Sequence, residues 1–349
     1  MAFQRRFFND KLTVGGYDMK FIDNKGITDP YVNLAIEEYV LKNFGAEDTY
    51  LLFYINEPSI IIGKNQNTIE EVNTDYVEDN NIKVVRRLSG GGAVYHDQGN
   101  LNFSFITKDD GESFHDFAKF TEPVVQALNQ MNVPAELLGR NDLVIEGKKI
   151  SGNAQFSTKG RMFSHGTLMF DSEIENVVSA LNVKKEKIES KGIKSIRSRV
   201  ANISEYLDNN VSMSEFKSLI LKYIFNVKDV SEVSEYVLTQ EDWDNIYEIS
   251  RNRYQKWEWN YGKSPKYNKQ VSHKFPSGLL DIRLDVKNGK IENCKIFGDF
   301  FGLGEVTEIE QALENVKHEK SAVENALKNI DVSYYLGKIT KEEFVDLIF

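Results

Sequence analysis

One cysteine, Cys294, occurs in 349 residues, so the chain can form neither an internal disulfide nor a cysteine metal cluster. Such scarcity suits a reducing, cytoplasmic compartment. Positive charge is also in deficit: 43 Lys and Arg stand against 53 Asp and Glu, a formal net charge of −10. A broadly acidic chain lacks the electrostatic footprint that holds phosphate backbones, which argues against nucleic acid as a partner. Any anion it binds must then be held by a locally basic pocket. Long apolar runs are missing too; stretches such as Leu51 to Ile55 and Ile60 to Ile62 fall far short of the ~18 residues of a membrane span. Residues 1–18 carry two arginines but no apolar stretch of the signal-peptide kind. Met19 opens a stretch that reads as a natural beginning, so 1–18 are expected to be an N-terminal extension, disordered or non-native. There is no GxxxxGK[ST] and no GxGxxG, so P-loop and Rossmann assignments fail. Five scattered histidines without HExxH spacing argue against structural zinc.

What remains is ordinary globular material, 41% hydrophobic and 28% charged, and at about 150 residues per domain the length allows two domains. Asp29-Pro30 can cap a helix running to about Phe44. Strand-like runs follow at Tyr50 to Ile55 and Ser59 to Gly63, joined by a turn at Asn56-Glu57-Pro58. A polar helix near Ile69 to Glu78, a strand Ile82 to Leu88, strands Ala93 to His96 and Asn100 to Thr107, and a helix Phe114 to Met131 come next. Leu137 to Asp171 is strand-rich. Helices are expected at Met213 to Phe225 and Trp243 to Trp257, and a linker at Asn260 to Pro265. Beyond it, Leu279 to Val286 and Lys290 to Phe297 alternate around Lys287-Asn288-Gly289, a hairpin signal; Ile309 to Ile330 and Lys341 to Ile348 read as helices. The fold class is α+β, with mixed, largely antiparallel sheets flanked by helices. Its expected domains are 19–260 and a small α+β accessory domain at 266–349.

Three segments carry chemistry. In Arg86-Arg-Leu-Ser-Gly-Gly-Gly-Ala-Val-Tyr-His-Asp97, three glycines cost backbone entropy unless positive φ or a close backbone approach requires them. Their amides can converge on an anion, and Arg87 can add a forked positive charge; the other reading is a glycine-rich corner with solvated arginines. Strand alternation sends Arg86 and Arg87 to opposite faces. In Gly139-Arg-Asn-Asp142 and Lys148-Lys149-Ile-Ser-Gly152, a lysine at a glycine-bounded strand end can steady charge on a phosphate, and Asp142 can hold the magnesium that accompanies a nucleotide. Otherwise these are a solvated edge and a turn. Ser190 to Asn202 carries Lys191, Lys194, Arg197 and Arg199 without an acid, suiting either a lid over an anionic intermediate or a basic surface loop. Trp243, Trp257 and Trp259 read as packing residues, Cys294 as a buried inert thiol, and Glu37 and Glu38 as a solvated helix face.

Together, Arg86 to Asn102, Gly139 to Asp142, Lys149-Ile-Ser-Gly-Asn-Ala154 and Lys191 to Val200 resemble the lipoate–protein ligase A family in residues, order and spacing, from about Met19 to the C-terminus. The resemblance implies a catalytic fold shared with biotin protein ligases and class II aminoacyl-tRNA synthetases. It implies that lipoate and MgATP give lipoyl-adenylate and pyrophosphate, after which the lipoyl group passes to a lysine of acceptor domains such as 2-oxoacid dehydrogenase E2 subunits and the glycine cleavage H protein. By the same resemblance Lys149 is the catalytic lysine, touching both the α-phosphate and the lipoyl carboxylate. Arg87, Ser89, Gly90, Gly91, Gly92, Ala93, Val94, Tyr95, Asp142, Lys191 and Arg197 join it in binding ATP or adenylate. His96, His165 and Gly152 flank lipoate, and Asp142 takes the metal. The apolar tail of lipoate is expected to lie against Leu51 to Ile62 and Val84 to Leu88.

Two alternatives remain at this point. An octanoyl or lipoyl amidotransferase shares the fold but needs a cysteine nucleophile in the catalytic domain, where this chain has none. A non-catalytic acyl-adenylate binder would have less use for Lys149, Asp142 and Arg87 together.

Overall fold

The computed structural model describes residues 19–45, 47–181, 199–207, 210–261 and 267–349. By internal contacts the chain forms two compact units: one takes in the chain to Ser59 with Tyr95–Ser179 and Val183–Tyr254, the other Ile60–Val94, Ala180–Asn182 and Gln255–Phe349.

The first unit is built on a seven-stranded sheet. Its strands are β1 (Met19–Asp23), β2 (Thr49–Tyr54), β6 (Asn100–Lys108), β7 (Ala135–Leu138), β8 (Asp142–Ile145), β9 (Lys148–Thr158) and β10 (Arg161–Met169). They lie in the order β1-β2-β6-β10-β9-β8-β7. Only β1 and β2 run parallel; every other neighbouring pair is antiparallel. The mixed, mainly antiparallel sheet expected from the sequence is therefore present. Phe53, Phe103 and Phe105 from the sheet are buried with Phe120 of helix Phe117–Gln130 and Phe216 of helix Met213–Phe225. Phe216 stacks on Phe170 at 4.5 Å between ring centroids.

Helix Pro30–Asn43 starts where Asp29 accepts a hydrogen bond from the Tyr31 amide, with Pro30 in the first turn. It is buried nearly all round, from Val32 to Leu41, because it packs both on β6 and β10 and beneath helix Gln240–Ile249. Glu37 and Glu38 are therefore buried rather than solvated. Glu38 is held by Lys42 at 2.6 Å and Arg253 at 3.1 Å.

β3 (Ser59–Ile62), β4 (Lys83–Arg86) and β5 (Val94–His96) form a three-stranded sheet in the order β4-β3-β5. β2 and β3 thus enter different sheets, and the turn at Asn56 to Pro58 connects two sheets rather than closing a hairpin. Residues 267–349 form an antiparallel sheet of β11 (Lys269–Phe275), β12 (Gly278–Lys287) and β13 (Lys290–Gly298). The expected hairpin turns at Asn288 and Gly289, both at positive φ (50° and 73°), as a tight two-residue connection requires. The helix expected over Ile309 to Ile330 is instead two, Thr307–Leu313 and Lys320–Ala326. Glu314 turns extended, Asn315 takes φ 62°, and Val316 accepts from the Ile291 amide at 2.8 Å. Pairing with the edge of β13 ends the helix there.

Trp257 is 53% exposed, so it is not the packing residue expected. Asn260, where the expected linker begins, is buried and accepts from the Arg86 amide. No helix among the described residues is long and apolar enough to cross a membrane.

Candidate functional site

Lys149 stands at a β-bulge. Val144 faces Lys149 and Leu143 faces Ser151, so Ile150 is the extra residue, and such a bulge re-aims the side chains beside it. Asp142 and Val144 share a face of β8, which places the Lys149 Nζ 2.8 Å from Asp142 Oδ1, the side chains being 40% and 39% exposed. Gly152 faces Asp142 across the ladder, and a Cβ there would meet Lys149 Nζ at 3.1 Å. The Lys149 amide donates to Arg199 O at 2.7 Å and its carbonyl accepts from Ala201 N at 3.0 Å. The chain leaving the basic segment is thereby tied to the backbone of this lysine. Lys191 and Arg197 lie outside the described residues. The turn before Asp142 is fixed by Asn141, whose Nδ2 donates to Asn153 O at 2.6 Å while Asn153 Nδ2 donates to Asn141 O at 3.0 Å. Lys149, Asp142 and Gly152 therefore form one cluster.

Both candidate histidines lie buried in the same unit. His165, on β10, places Nδ1 2.9 Å from Glu37 Oε1. His96, at the end of β5, places Nδ1 3.0 Å from Asn56 Nδ2. The sequence reads Glu37 as part of a solvated helix face and Asn56 as a turn residue; a helical acid and a turn asparagine carry no local mark of these contacts.

The glycine-rich segment reads differently once built. Arg86 and Arg87 are both buried. Arg86 donates to the carbonyls of Gly63, Lys64, Gln66, Trp259 and Asn260 and to Thr68 Oγ1. Burial lowers its pKa to about 10, still protonated at neutral pH. Arg87 donates through Nε to Ser89 Oγ, and through its two terminal nitrogens to Ile61 O, Gly90 O and Gly92 O, at 2.7 to 3.0 Å. Its fork thus holds the glycine loop in shape.

The three glycines have different reasons. A Cβ on Gly90 would strike the carbonyl oxygen of Phe300, and Gly91 has φ 94° with Phe301 Cζ 3.0 Å from where its Cβ would be. Gly92 is exposed, its φ is not in the left-handed region, and nothing lies within 4 Å of its Cβ position. Gly90→Ala is therefore expected to destabilise the protein by about 1–3 kcal/mol, read by thermal unfolding. An unchanged midpoint would mean that this contact is not tight. Ala93, Val94 and Tyr95 continue from the loop into β5, each half-buried.

Among the described residues no three His, Cys, Asp or Glu side chains converge as a metal cage. Cys294 is buried in the core of residues 280–348, and burial pushes its thiol pKa far up.

Comparison with known proteins agrees in both parts of the chain. Residues 29–225 match the family described as lipoyl protein ligase A/B catalytic domain, and residues 264–348 match bacterial lipoate protein ligase C-terminus. The chain is 66% identical to lipoate-protein ligase LplJ of Bacillus subtilis over 331 residues, 95% of this chain and all of that one. Among solved structures, P. falciparum LipL1 in complex with lipoate superposes with a TM-score of 0.75 at 25% identity, covering 95% of this chain and 97% of that one. A lipoate-protein ligase A bound with ATP gives a TM-score of 0.59 at 27% identity, covering 70% and 98%. The bi-partite lipoate protein ligase of Thermoplasma acidophilum, from a study including its E2 lipoyl domain, gives 0.62 at 30% identity, covering 72% and 98%. With both family regions matched in order along nearly the whole of its length, the chain belongs to the lipoate–protein ligase family and is a lipoate–protein ligase.

Proposed function

We propose that the ligase works in two half-reactions: lipoate and ATP give lipoyl-AMP and pyrophosphate, and the lipoyl group then passes to one lysine of an acceptor domain. The observation that carries this reading is the Lys149 ammonium, half-exposed beside the Asp142 carboxylate and seated on a bulge. In the first step a lipoate carboxylate oxygen bonds to the α-phosphorus as the bond to the pyrophosphate oxygen breaks. Two anions must meet, and a lysine between them offsets their repulsion and steadies the charge that develops. In the second step the acceptor amine bonds to the acyl carbon, the bond from that carbon to the AMP oxygen breaks, and the amine releases a proton to water. Lys149 remains an ammonium throughout. The ATP and lipoate bound by relatives, and the E2 lipoyl domain studied with another, support these substrates and this partner class; the glycine cleavage H protein is a second proposed acceptor.

We further assign ATP and adenylate binding to Arg87, Ser89, Gly90, Gly91, Gly92, Ala93, Val94, Tyr95, Asp142, Lys191 and Arg197, and lipoate binding to His96, His165 and Gly152. Residues 19–260 are proposed as the catalytic domain, 266–349 as the accessory domain, and the cytoplasm as the compartment. Nucleotide-borne magnesium needs only one or two protein carboxylates beside the phosphates, and the half-exposed Asp142 fits that demand. Magnesium held there would supply positive charge toward the pyrophosphate leaving group.

Gly92→Ala is expected to leave the unfolding midpoint unchanged and to raise the KM for ATP several-fold, because its missing Cβ leaves open space rather than fitting a protein neighbour. An unchanged KM would remove Gly92 from the nucleotide site. Cys294→Ser is expected to keep full turnover in a lipoylation assay; a large loss would revive a thioester route. The direct test incubates the enzyme with magnesium, ATP, lipoate and an E2 lipoyl domain and weighs the acceptor. One lipoyl group gained only when ATP is present supports the proposal. Transfer from a lipoylated protein without ATP would support the amidotransferase instead.

A further inference from the structure

A chain of buried amides ends on His96. Asn24, Asn33, Asn56 and His96 are 2%, 0%, 0% and 4% exposed. Asn24 Nδ2 donates to Ile27 O at 2.8 Å and to Asn33 Oδ1 at 2.9 Å, while its Oδ1 accepts from the Gly26 amide. Asn33 Nδ2 donates to Ile27 O at 3.0 Å and to Asn56 Oδ1 at 2.9 Å. Asn56 Nδ2 then faces His96 Nδ1 at 3.0 Å.

The direction of this chain is forced. A carbonyl oxygen only accepts, so Ile27 O fixes which end of Asn24 and of Asn33 is the NH₂ group. Asn33 therefore donates to Asn56, which turns the carbonyl end of Asn56 toward Asn33 and its NH₂ end toward the histidine. His96 Nδ1 must be a lone pair, and in a neutral imidazole the proton then sits on Nε2.

We propose that Asn56, backed by Asn33 and Asn24, is a positioning residue that holds His96 as its Nε2–H tautomer, so that the ring offers a donor to the acyl substrate. This rests on the assignment of His96 to the lipoate site. Ionised lipoate fits a donor: its two carboxylate oxygens accept hydrogen bonds, its two ring sulfurs accept weakly, and no atom of it donates. The relay thus tunes the site toward acids with acceptor-only polar groups.

Nitrogen-15 NMR of the full-length protein reads the tautomer directly, with the His96 signals assigned by their loss in His96→Gln. The expected wild-type pattern is an unprotonated Nδ1 and a protonated Nε2, both shifting when lipoate is added. Asn56→Asp replaces the donor with an acceptor of the same shape and is expected to move the proton to Nδ1. With it, the KM for lipoate should rise at least ten-fold and the KM for ATP stay unchanged. His96→Gln, whose amide can still donate at the Nε2 position, should retain a lower KM for lipoate than His96→Leu. A wild-type Nδ1–H tautomer would overturn the relay even if Asn56→Asp failed to fold. A reversed tautomer with an unchanged KM for lipoate would overturn its functional part. Silent His96 signals on lipoate addition, with the tautomer as expected, would instead take down the pocket assignment and with it the donor role.

Discussion

Lys149→Ala is expected to lose lipoate-dependent exchange of pyrophosphate into ATP by about 10²–10³-fold, the usual cost of removing one preorganised charge-stabilising group, while its unfolding midpoint stays where it was. The two halves of this expectation have separate causes. Both side chains of the Lys149–Asp142 pair are well over a third exposed, and exposed pairs contribute about 0–1 kcal/mol, so little stability is at stake. The backbone ties of Lys149 to Arg199 and Ala201 do not depend on its side chain. Lys149→Arg is expected to recover only part of the rate, because a planar fork does not replace a compact ammonium. Near-normal exchange in the alanine variant would remove the central mechanistic assignment.

Arg86→Met is expected to cost about 3 kcal/mol or more of stability and to yield little folded protein, although Arg86 lies one residue from a proposed ATP-binding residue. Its guanidinium gathers five carbonyls and a hydroxyl from residues 63–68 and 259–260. Truncation would leave several of them buried without a donor, each costing about 1–3 kcal/mol before relaxation. Arg86→Lys should rescue poorly, since three donors on one point cannot serve acceptors spread over six chain positions. Chemical denaturation measures this, and a stable, cooperative Arg86→Met variant would show that the knot of carbonyls is dispensable.

Much of this molecule was legible in its sequence. Asp29-Pro30, the Asn288-Gly289 turn and the Met213 to Phe225 helix were found where their local chemistry placed them, because caps, turns and amphipathic periods are local signals. Lys149 and Asp142 could be named, but not the bulge that puts them on one face, since an extra residue in a ladder shows only when both strands are aligned. Glu37, Glu38 and Asn56 misled or passed unnoticed for a related reason: a buried polar group is intelligible only through partners distant in the chain, here His165, Arg253 and His96. Alternation sent Arg86 and Arg87 to different faces but could not tell that both faces are buried. The long helix expected over Ile309 to Ile330 failed because competition from the edge of β13 is invisible in a helical period.

The fit of Gly90 and Gly91 against Phe300 and Phe301 bears on how such enzymes can be recombined. A chimera that keeps this loop but borrows its last eighty residues from a distant cousin would carry a surface moulded to a Phe301 ring and a Phe300 carbonyl that are no longer there. Loop and tail aromatics would have to be exchanged as a matched set, and their covariation among natural relatives should record that joint inheritance.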